Sequence, residues 1–498
     1  MLEWLYAICV LILAAYGLNS FVLTLIYWFH PRTEKPTADL PRTFASLPSV
    51  TVQLPVYNER YVVERLLSAV SSLEYPHDRF LIQVLDDSDD DTSVIVDKIA
   101  ARLRARGVRI EVCRRGEPHG FKAGALKDAS DSVQADFIAI FDADFLPPRD
   151  FLVRLLPYFA DPNVGCVQAR WGHVNGNYSL LTRLQSAGID GHFIVEQEAR
   201  NRMGWFIGFN GSAGIWRRAC IEDAGGWQAD TLTEDLDLSY RAQLKGWTFR
   251  FVAELVVPAE VPVQFDAYRR QQFRWAKGSV QTLKKTLPVL LRARLPFAVK
   301  LQAVFHLAGY LIHVLIVLVF LLAIPMALMH SALLGIVPYL TISMLGAMAL
   351  YGTSVWRQSR SVLTLVSTLG MLVLLGTGMS LNNTRAAVEA LLGVRSGFRR
   401  TPKFDVRTIN DDWQSKQYTL PGDPMVWIEA AAALVAFIVF VLGQIEPWWR
   451  VSQWLLIYAL GYGFVAGLSV YQSTVRQHAR RSRALVAHPD MHDVSMAD

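Results

Sequence analysis

"ADFIAIFDADFLPP", residues 135–148, is the stretch on which the reading of this chain turns. A short apolar run, FIAIF, ends in Asp142-Ala143-Asp144, and two prolines follow. Such a run, bounded by turn residues, reads as a buried strand. Side chains two apart on a strand share a side, so the spacing predicts two carboxylates side by side at the strand's carboxyl end. At an effective dielectric near 20, two like charges ~4 Å apart repel by about 4 kcal/mol. A divalent cation relieves that repulsion. Magnesium and manganese are hard ions that take carboxylates together with phosphate oxygens. The bland alternative for Asp-x-Asp is a solvated turn.

The neighbouring sequence favours an α/β domain. From about Ser49 to Lys285, short apolar runs (SVTVQLPVY, FLIQVLDDS, RIEVCRR) alternate with amphipathic ones (ERYVVERLLSAVSSL, SVIVDKIAARLRARG). That alternation predicts a mainly parallel sheet, and such sheets bind ligands beyond the carboxyl ends of their strands. Tyr57, Asp86, Asp87, Asp142 and Asp144 all fall at such ends.

Composition divides the chain between lipid and water. Of 498 residues, 52% are hydrophobic and 19% charged, and the mean hydropathy is +0.24. A net charge of +5 without a basic, aromatic-interleaved face argues against nucleic-acid binding. The four cysteines form no CxxC pair, so neither a zinc site nor a disulfide framework is indicated.

Residues 1–30 read as a transmembrane helix followed by the basic HPRTEK, which puts the next domain in the cytoplasm. A signal peptide would need a basic start and a small-residue cleavage site. The expected order is a soluble domain at 45–290, membrane helices at 296–382, an interfacial helix and loop at 383–425, a transmembrane hairpin at 426–472 and a disordered basic tail at 473–498. The basic stretches after Arg385 and in the tail both belong on the cytoplasmic side. Three apolar stretches between Pro296 and Arg385 would break that parity. The third, VLTLVSTLGMLVLLGTGMSL, is therefore read as re-entrant or interfacial, giving five crossings, with six as the alternative.

Several blocks in the soluble part can carry chemistry. Tyr57, with Asn58 and Glu59 after it, offers a ring for a nucleotide base, or else an ordinary loop. VLDDSDDDT holds five aspartates within six residues; most read as a solvated turn, with Asp86 and Asp87 the better ligands. In GEPHGFKAGALK, Gly120, Lys122 and Gly124 read as a loop whose amides and ammonium can meet phosphate. It is not a Walker motif. In TLTEDLDLSYRAQLKGW, Thr233 is placed to cap a helix whose first turn holds Glu234 and Asp235. Those acids serve the helix dipole, or one of them deprotonates an attacking hydroxyl. Gln271, Arg274 and Trp275 share a helical face; Arg274 offers a fork for diphosphate and Trp275 a flat face for a sugar, or else an interfacial anchor.

In this order the blocks resemble the processive membrane glycosyltransferases of family 2. The carriers are Asp87, Asp142-x-Asp144, Thr233-Glu234-Asp235 and Gln271-x-x-Arg274-Trp275. IQVLDDS, FKAGALK, IAIFDADF, VQARW, GFNGSAGIWR, DAGGWQ and RAQLKGW look most like the cellulose synthase-like A and C branches, which make β-1,4-mannan and β-1,4-glucan backbones. The likeness is strong over roughly Val50 to Trp275 and loose in the membrane part.

The resemblance implies a GT-A fold, Rossmann-like and mainly parallel, joined to an α-helical transmembrane domain. It implies a nucleotide-sugar donor, UDP-glucose or GDP-mannose, held by Tyr57, Glu59, Asp87, Lys122 and Asp142. Mg2+ or Mn2+ would sit on Asp144 with Asp142, and Asp235, beside Glu234, would be the base of an inverting displacement. Gln271, Arg274 and Trp275, with Asn210, Gly211 and Ser212, would hold diphosphate and acceptor. Asn210 stands where cellulose synthases often have cysteine. Phe398, Thr401 and Lys403 match a gating loop over the donor, with Arg400 where valine is usual. The implied protein lies in the inner or plasma membrane with its catalytic domain cytoplasmic, and extends and translocates a polysaccharide. The alternatives are a glycolipid acceptor, or a transporter with a nucleotide-sensing domain.

Overall fold

In the computed structural model, the described residues are 1–32, 46–130, 132–329, 331, 338–397, 400–446 and 449–487. Seven strands form one sheet: β1 (Val50–Val56), β2 (Phe80–Asp86), β3 (Ile110–Cys113), β4 (Phe137–Ile140), β5 (Val164–His173), β6 (Gly214–Arg217) and β7 (Thr248–Ala259). Their order is β3-β2-β1-β4-β6-β5-β7. β1 pairs in parallel with β2 and β4, β2 with β3, and β5 with β7, while β6 runs antiparallel to β4 and β5. This is the expected mainly parallel GT-A sheet.

Helices cover both faces, which is why β1 and β4 read as near-continuous apolar runs. Helix Val63–Ser71 buries Val63, Leu66, Leu67 and Val70, the i, i+3, i+4, i+7 stripe of a helix lying on a core. Burying each is worth about 1.5–3 kcal/mol. Within the sheet the buried Gln53 and Gln83 sit in register, and Gln53 Nε2 donates to Gln83 Oε1 at 2.9 Å. That bond offsets part of the cost of burying two amides inside the sheet, while Gln53 Oε1 has no hydrogen-bond partner among the described residues.

The apolar remainder is helical. Leu2–Phe29, Met425–Gly443 and Ser452–Gln477 are each long and apolar enough to cross a membrane. Two bent pairs raise the number to five if each counts as one span: Phe297–Leu307 with Leu311–Ala327, bent by 66°, and Val362–Gly378 with Ser380–Leu391, bent by 44°. The stretch read as re-entrant or interfacial is the first limb of that second pair. Helix Pro338–Ser359 is the described part of a stretch expected as a span, and over the described residues it does not meet the same length-and-apolarity test. It packs on Leu2–Phe29 through a glycine contact: a Cβ on Gly17 would strike Ser343, and one on Gly346 would strike Gly17. Small residues at such a crossing let two backbones meet. The last helix runs Trp449–Ala487, so the basic stretch expected as a disordered tail is helical to Ala487.

One helix joins the two parts. Phe265–Arg292 carries Arg269, whose Nη2 lies 2.7 Å from Glu429 Oε2 on Met425–Gly443. Arg202, behind the sheet, donates to the carbonyls of Tyr27 (2.6 Å) and His30 (2.9 Å) at the end of the first helix.

Candidate active site

The Asp-x-Asp pair corrects the strand expectation. β4 stops at Ile140, and Asp142 to Asp144 lie in a turn closed by the Phe145 amide donating to the Asp142 carbonyl at 3.1 Å. The Asp142 amide donates to Ser212 Oγ at 3.0 Å rather than to a strand. The two-residue alternation of a strand therefore does not apply, and the carboxylates have different partners. Asp142 Oδ1 is 2.5 Å from Lys122 Nζ, whereas Asp144 Oδ2 is 2.7 Å from Lys403 Nζ and accepts the Glu260 amide at 3.0 Å.

Around Asp142 lies one cluster. Lys122 Nζ also donates to the Gly211 carbonyl at 2.8 Å and sits 3.8 Å from Glu234 Oε1. Burial lowers the Lys122 ammonium's pKa, but Asp142 and Glu234 more than reverse this, so it is held charged. The glycine-lysine stretch is not the expected loop: Phe121–Ser130 is a helix. Gly124 is in its first turn because a Cβ there would strike the His119 carbonyl. The helix carries Lys122 to the site from its own amino end.

Asp235 lies against this cluster. A Cβ on Gly211 would come 2.7 Å from Asp235 Oδ2 and 3.4 Å from Lys122 Nζ, and Gly211 has φ +83°. Glycine is thus needed for both space and backbone. Burial, reinforced by the Glu234 charge and opposed by Lys122, pushes the Asp235 carboxyl up to about 7. A carboxyl there ionises where a general base is most useful. Thr233 occupies the N-cap position, but its hydroxyl lies 3.3 Å from Thr282 Oγ1 and caps nothing. Asp235 Oδ1 instead accepts the Leu236 amide at 2.8 Å.

Two arginines that sequence reasoning passed over organise the aspartate-rich end of β2. Arg115 forks onto Asp87 at 2.5 and 3.1 Å, and Arg114 Nε reaches Asp86 at 2.9 Å. Arg115 also holds the carbonyls of His119 and Phe121, tying Asp87 to the Lys122 helix. The signal was the Arg114-Arg115 pair directly after β3, the strand beside β2. Tyr57 is 43% exposed at the rim, its hydroxyl 3.4 Å from Asp89.

Residues 400–420 pack onto the soluble domain. Arg400 Nη1 is 2.9 Å from Glu59 Oε1, and its guanidinium lies 4.2 Å from the Tyr418 ring centre. Burial, offset in part by Arg400 and reinforced by Asp144, raises Glu59 to about 7. Thr401 Oγ1 is 3.5 Å from Arg274 Nη2, and Arg65 clamps Asp405 (2.5 Å) and Glu260 (2.9 Å). Phe404, Val406 and Trp413 bury against Val263. Thr401 and Lys403 thus reach the site, while Phe398 falls outside the described residues. Gln271, Arg274 and Trp275 lie half-buried on one helix, as spaced.

Carboxylates are the right donors for Mg2+ or Mn2+. Among the described residues no group of three or more histidine, cysteine, aspartate or glutamate side chains could hold a metal. A cation on Asp142 or Asp144 would therefore need phosphate oxygens to complete its shell, which is how magnesium is commonly held. Lys403 occupies the Asp144 oxygen that such an ion would share.

Residues 48–278 match the family model described as "Glycosyltransferase like family 2". Probable glucomannan 4-beta-mannosyltransferase 11 of Oryza sativa subsp. japonica is 45% identical over 251 residues, 49% of this chain and 44% of the relative. Glucomannan 4-beta-mannosyltransferase 1 of Cyamopsis tetragonoloba is 42% identical over 264 residues, 52% of this chain and 50% of the relative. The chain thus spans about half the length of the curated relatives it matches. The fold is like that of a mannosyltransferase from Pyrobaculum calidifontis solved with GDP-Man and Mn2+. It has a TM-score of 0.53 at 22% identity, covering 79% of this chain and 100% of that one. The domain at residues 48–278 belongs to glycosyltransferase-like family 2, in the cellulose synthase-like branch.

Proposed function

We propose that this chain is an inverting β-glycosyltransferase of the membrane, moving mannose from GDP-mannose onto the end of a growing β-1,4-linked polysaccharide. The observation that carries the chemistry is Asp235. It is a carboxyl lifted to about 7 and set against Lys122 and Asp142 at the sheet's carboxyl edge. The relatives' names favour mannose over glucose.

In the reaction the Asp235 carboxylate takes the proton of the acceptor hydroxyl as that oxygen attacks the sugar's anomeric carbon. The bond from that carbon to the diphosphate breaks on the opposite face, and its electron pair leaves with the nucleoside diphosphate. Lys122 and Arg274 stabilise the charge that develops on the leaving group. Asp142 and Asp144 would hold Mg2+ or Mn2+, which neutralises the diphosphate when bound. Tyr57, Glu59 and Asp87 would take the nucleoside, and Gln271, Trp275 and Ser212 the diphosphate and acceptor. The soluble domain faces the cytoplasm of an inner or plasma membrane, and the helices pass the product outward.

The test is incubation of purified protein with GDP-mannose or UDP-glucose and Mn2+, followed by linkage-specific glycosidase digestion. Polymer sensitive to β-mannanase is the expected product. A lipid-extractable glycolipid would replace the polysaccharide acceptor by a lipid one. No product from either donor would overturn the reading.

A further inference from the structure

A second polar cluster lies behind Asn210, and the catalytic steps above make no use of it. A π-helical turn, Gly191–Gln197, carries His192 and Glu196 on one face and packs against the first helix and Pro338–Ser359. Single π turns recur at functional sites. Glu196 Oε2 lies 3.0 Å from His192 Nδ1 and 3.4 Å from Arg200 Nη1. Burial would raise this carboxyl, but the His192 bond and Arg200 outweigh it and bring it down to about 2. A carboxylate only accepts hydrogen bonds. The His192 proton therefore sits on Nδ1, and in the neutral ring Nε2 is an acceptor.

That tautomer fixes the next group. Asn210 Nδ2 is 3.2 Å from His192 Nε2 and must be the donor. Asn210 Oδ1 then faces the other way and accepts Gln197 Nε2 at 3.3 Å. The Asn210 backbone is pinned as well, its amide donating to Gln168 Oε1 at 3.0 Å. A primary amide has two N–H donors and two lone pairs. Two of the four are spent on His192 and Gln197, leaving one N–H and one lone pair at fixed directions. Asn210 adjoins Gly211, whose α-carbon abuts the Asp235 carboxylate. His192 and Glu196 keep about a quarter of their side-chain surface accessible (26% and 25%), so they are not sealed into the core.

We propose that Glu196 and His192 are positioning residues that lock the Asn210 amide, so that its spare donor and acceptor bind neighbouring hydroxyls on the terminal sugar of a β-linked acceptor chain. One spare donor beside one spare acceptor suits a vicinal diol of a pyranose, each hydroxyl being both donor and acceptor. Neutralising Glu196 frees the imidazole to take either tautomer and the amide to turn over, which scrambles the pattern. This inference deepens the proposed glycosyltransferase reading and rests on it for the acceptor's chemistry.

The test uses the full-length protein in detergent, with β-1,4-mannotetraose as the acceptor probe and GDP as the donor-side probe, both followed by calorimetry. Transfer and uncoupled hydrolysis of GDP-mannose are measured alongside. Glu196→Gln and His192→Ala are expected to weaken mannotetraose binding, and raise its KM, about tenfold. GDP affinity and uncoupled hydrolysis should stay within twofold. His192→Gln, which keeps an acceptor toward Asn210, is expected to restore part of the loss. Unchanged mannotetraose affinity in Glu196→Gln, an equal loss of GDP affinity, or no mannotetraose binding by the wild type would overturn the inference. Wild-type protein that binds mannotetraose in an Glu196-dependent way but uses neither GDP-mannose nor UDP-glucose would support the acceptor site and defeat the donor reading alone.

Discussion

Lys403 Nζ sits 2.7 Å from Asp144 Oδ2, so the second carboxylate of the Asp-x-Asp turn is neutralised by a lysine 259 residues away. Both side chains are nearly buried, at 11% and 8% exposure, so water screens the pair little. The same ammonium holds the Glu260 carbonyl, and residues 400–420 follow it onto the domain. A divalent cation on Asp144 would meet the charge of this ammonium at close range, whichever carboxylate oxygen it took. A hydrogen bond to a charged group is worth about 1.5–3 kcal/mol. Lys403→Met is therefore expected to tighten Mn2+ binding about tenfold, read from the electron-spin-resonance signal of free Mn2+. Unchanged affinity would mean that Lys403 and the cation do not compete at Asp144.

Asp235→Asn tests the base. General-base catalysis contributes about 10²–10⁴-fold, so turnover should fall by at least about a hundredfold while GDP still binds. The wild-type rate should drop as pH falls through about 7, because the base must be ionised. The stability effect has the opposite sense. The folded pKa is raised, so this group's stabilising contribution is full below its unfolded pKa and lost as pH rises through about 7. Asp235→Asn should therefore raise the melting temperature relative to wild type more at pH 8 than at pH 5.

Gly211→Ala tests how tightly the site is built. The new methyl would lie 2.7 Å from Asp235 Oδ2, on a backbone at φ +83°. The left-handed conformation alone costs roughly 1–2 kcal/mol with a side chain. Turnover is expected to fall at least about a hundredfold with a modest loss of melting temperature. Near-normal turnover would mean that Asp235 does not need its place beside Lys122.

Much of this was legible in the chain because it is local. The apolar run into Asp142, the amphipathic stripe of Val63–Ser71 and the spacing of Gln271, Arg274 and Trp275 each follow from a short-range period. What was not legible depends on register between distant elements. Asp142 and Asp144 part company because β4 ends early and Ser212 takes the Asp142 amide. Thr233 looks like a cap, but Thr282 on another helix competes for its hydroxyl. Arg400, which stands where the resemblance would put valine, finds its partners in the distant Glu59 and in Tyr418 of its own segment. His192 and Glu196 belong to no sequence motif; only the fold sets Asn210 against His192.

Arg115 gives a prediction that its sequence position did not offer. Its fork on Asp87 and its bonds to the His119 and Phe121 carbonyls join the end of β2 to the helix that carries Lys122. Lysine cannot reproduce a two-toothed contact. Arg115→Lys is expected to raise the donor KM about tenfold with a smaller change in kcat, by steady-state kinetics at saturating acceptor. A fall in kcat alone would separate Arg115 from donor binding.

The Arg269–Glu429 pair makes the membrane part answerable to the catalytic part. The two groups lie 2.7 Å apart with side chains 1% and 0% exposed, and Asp266, bound by Ser469, shares Arg269 at 3.3 Å. Removing one partner of a buried pair strands the other, at a cost of about 3–5 kcal/mol. Glu429→Ala should therefore lower the melting temperature in detergent sharply. Replacing Arg269 and Glu429 by methionine and Asp266, which shares Arg269, by asparagine leaves no stranded charge and should recover most of the loss, since apolar pairs of similar volume often match buried ion pairs. Arg269 shares its helix with Gln271, Arg274 and Trp275. If the pair sets that helix's position, Glu429→Ala will also raise the donor KM, and the triple variant will bring stability back ahead of activity. Recovery of both together would make the ion pair a packing element with no hold on the active site.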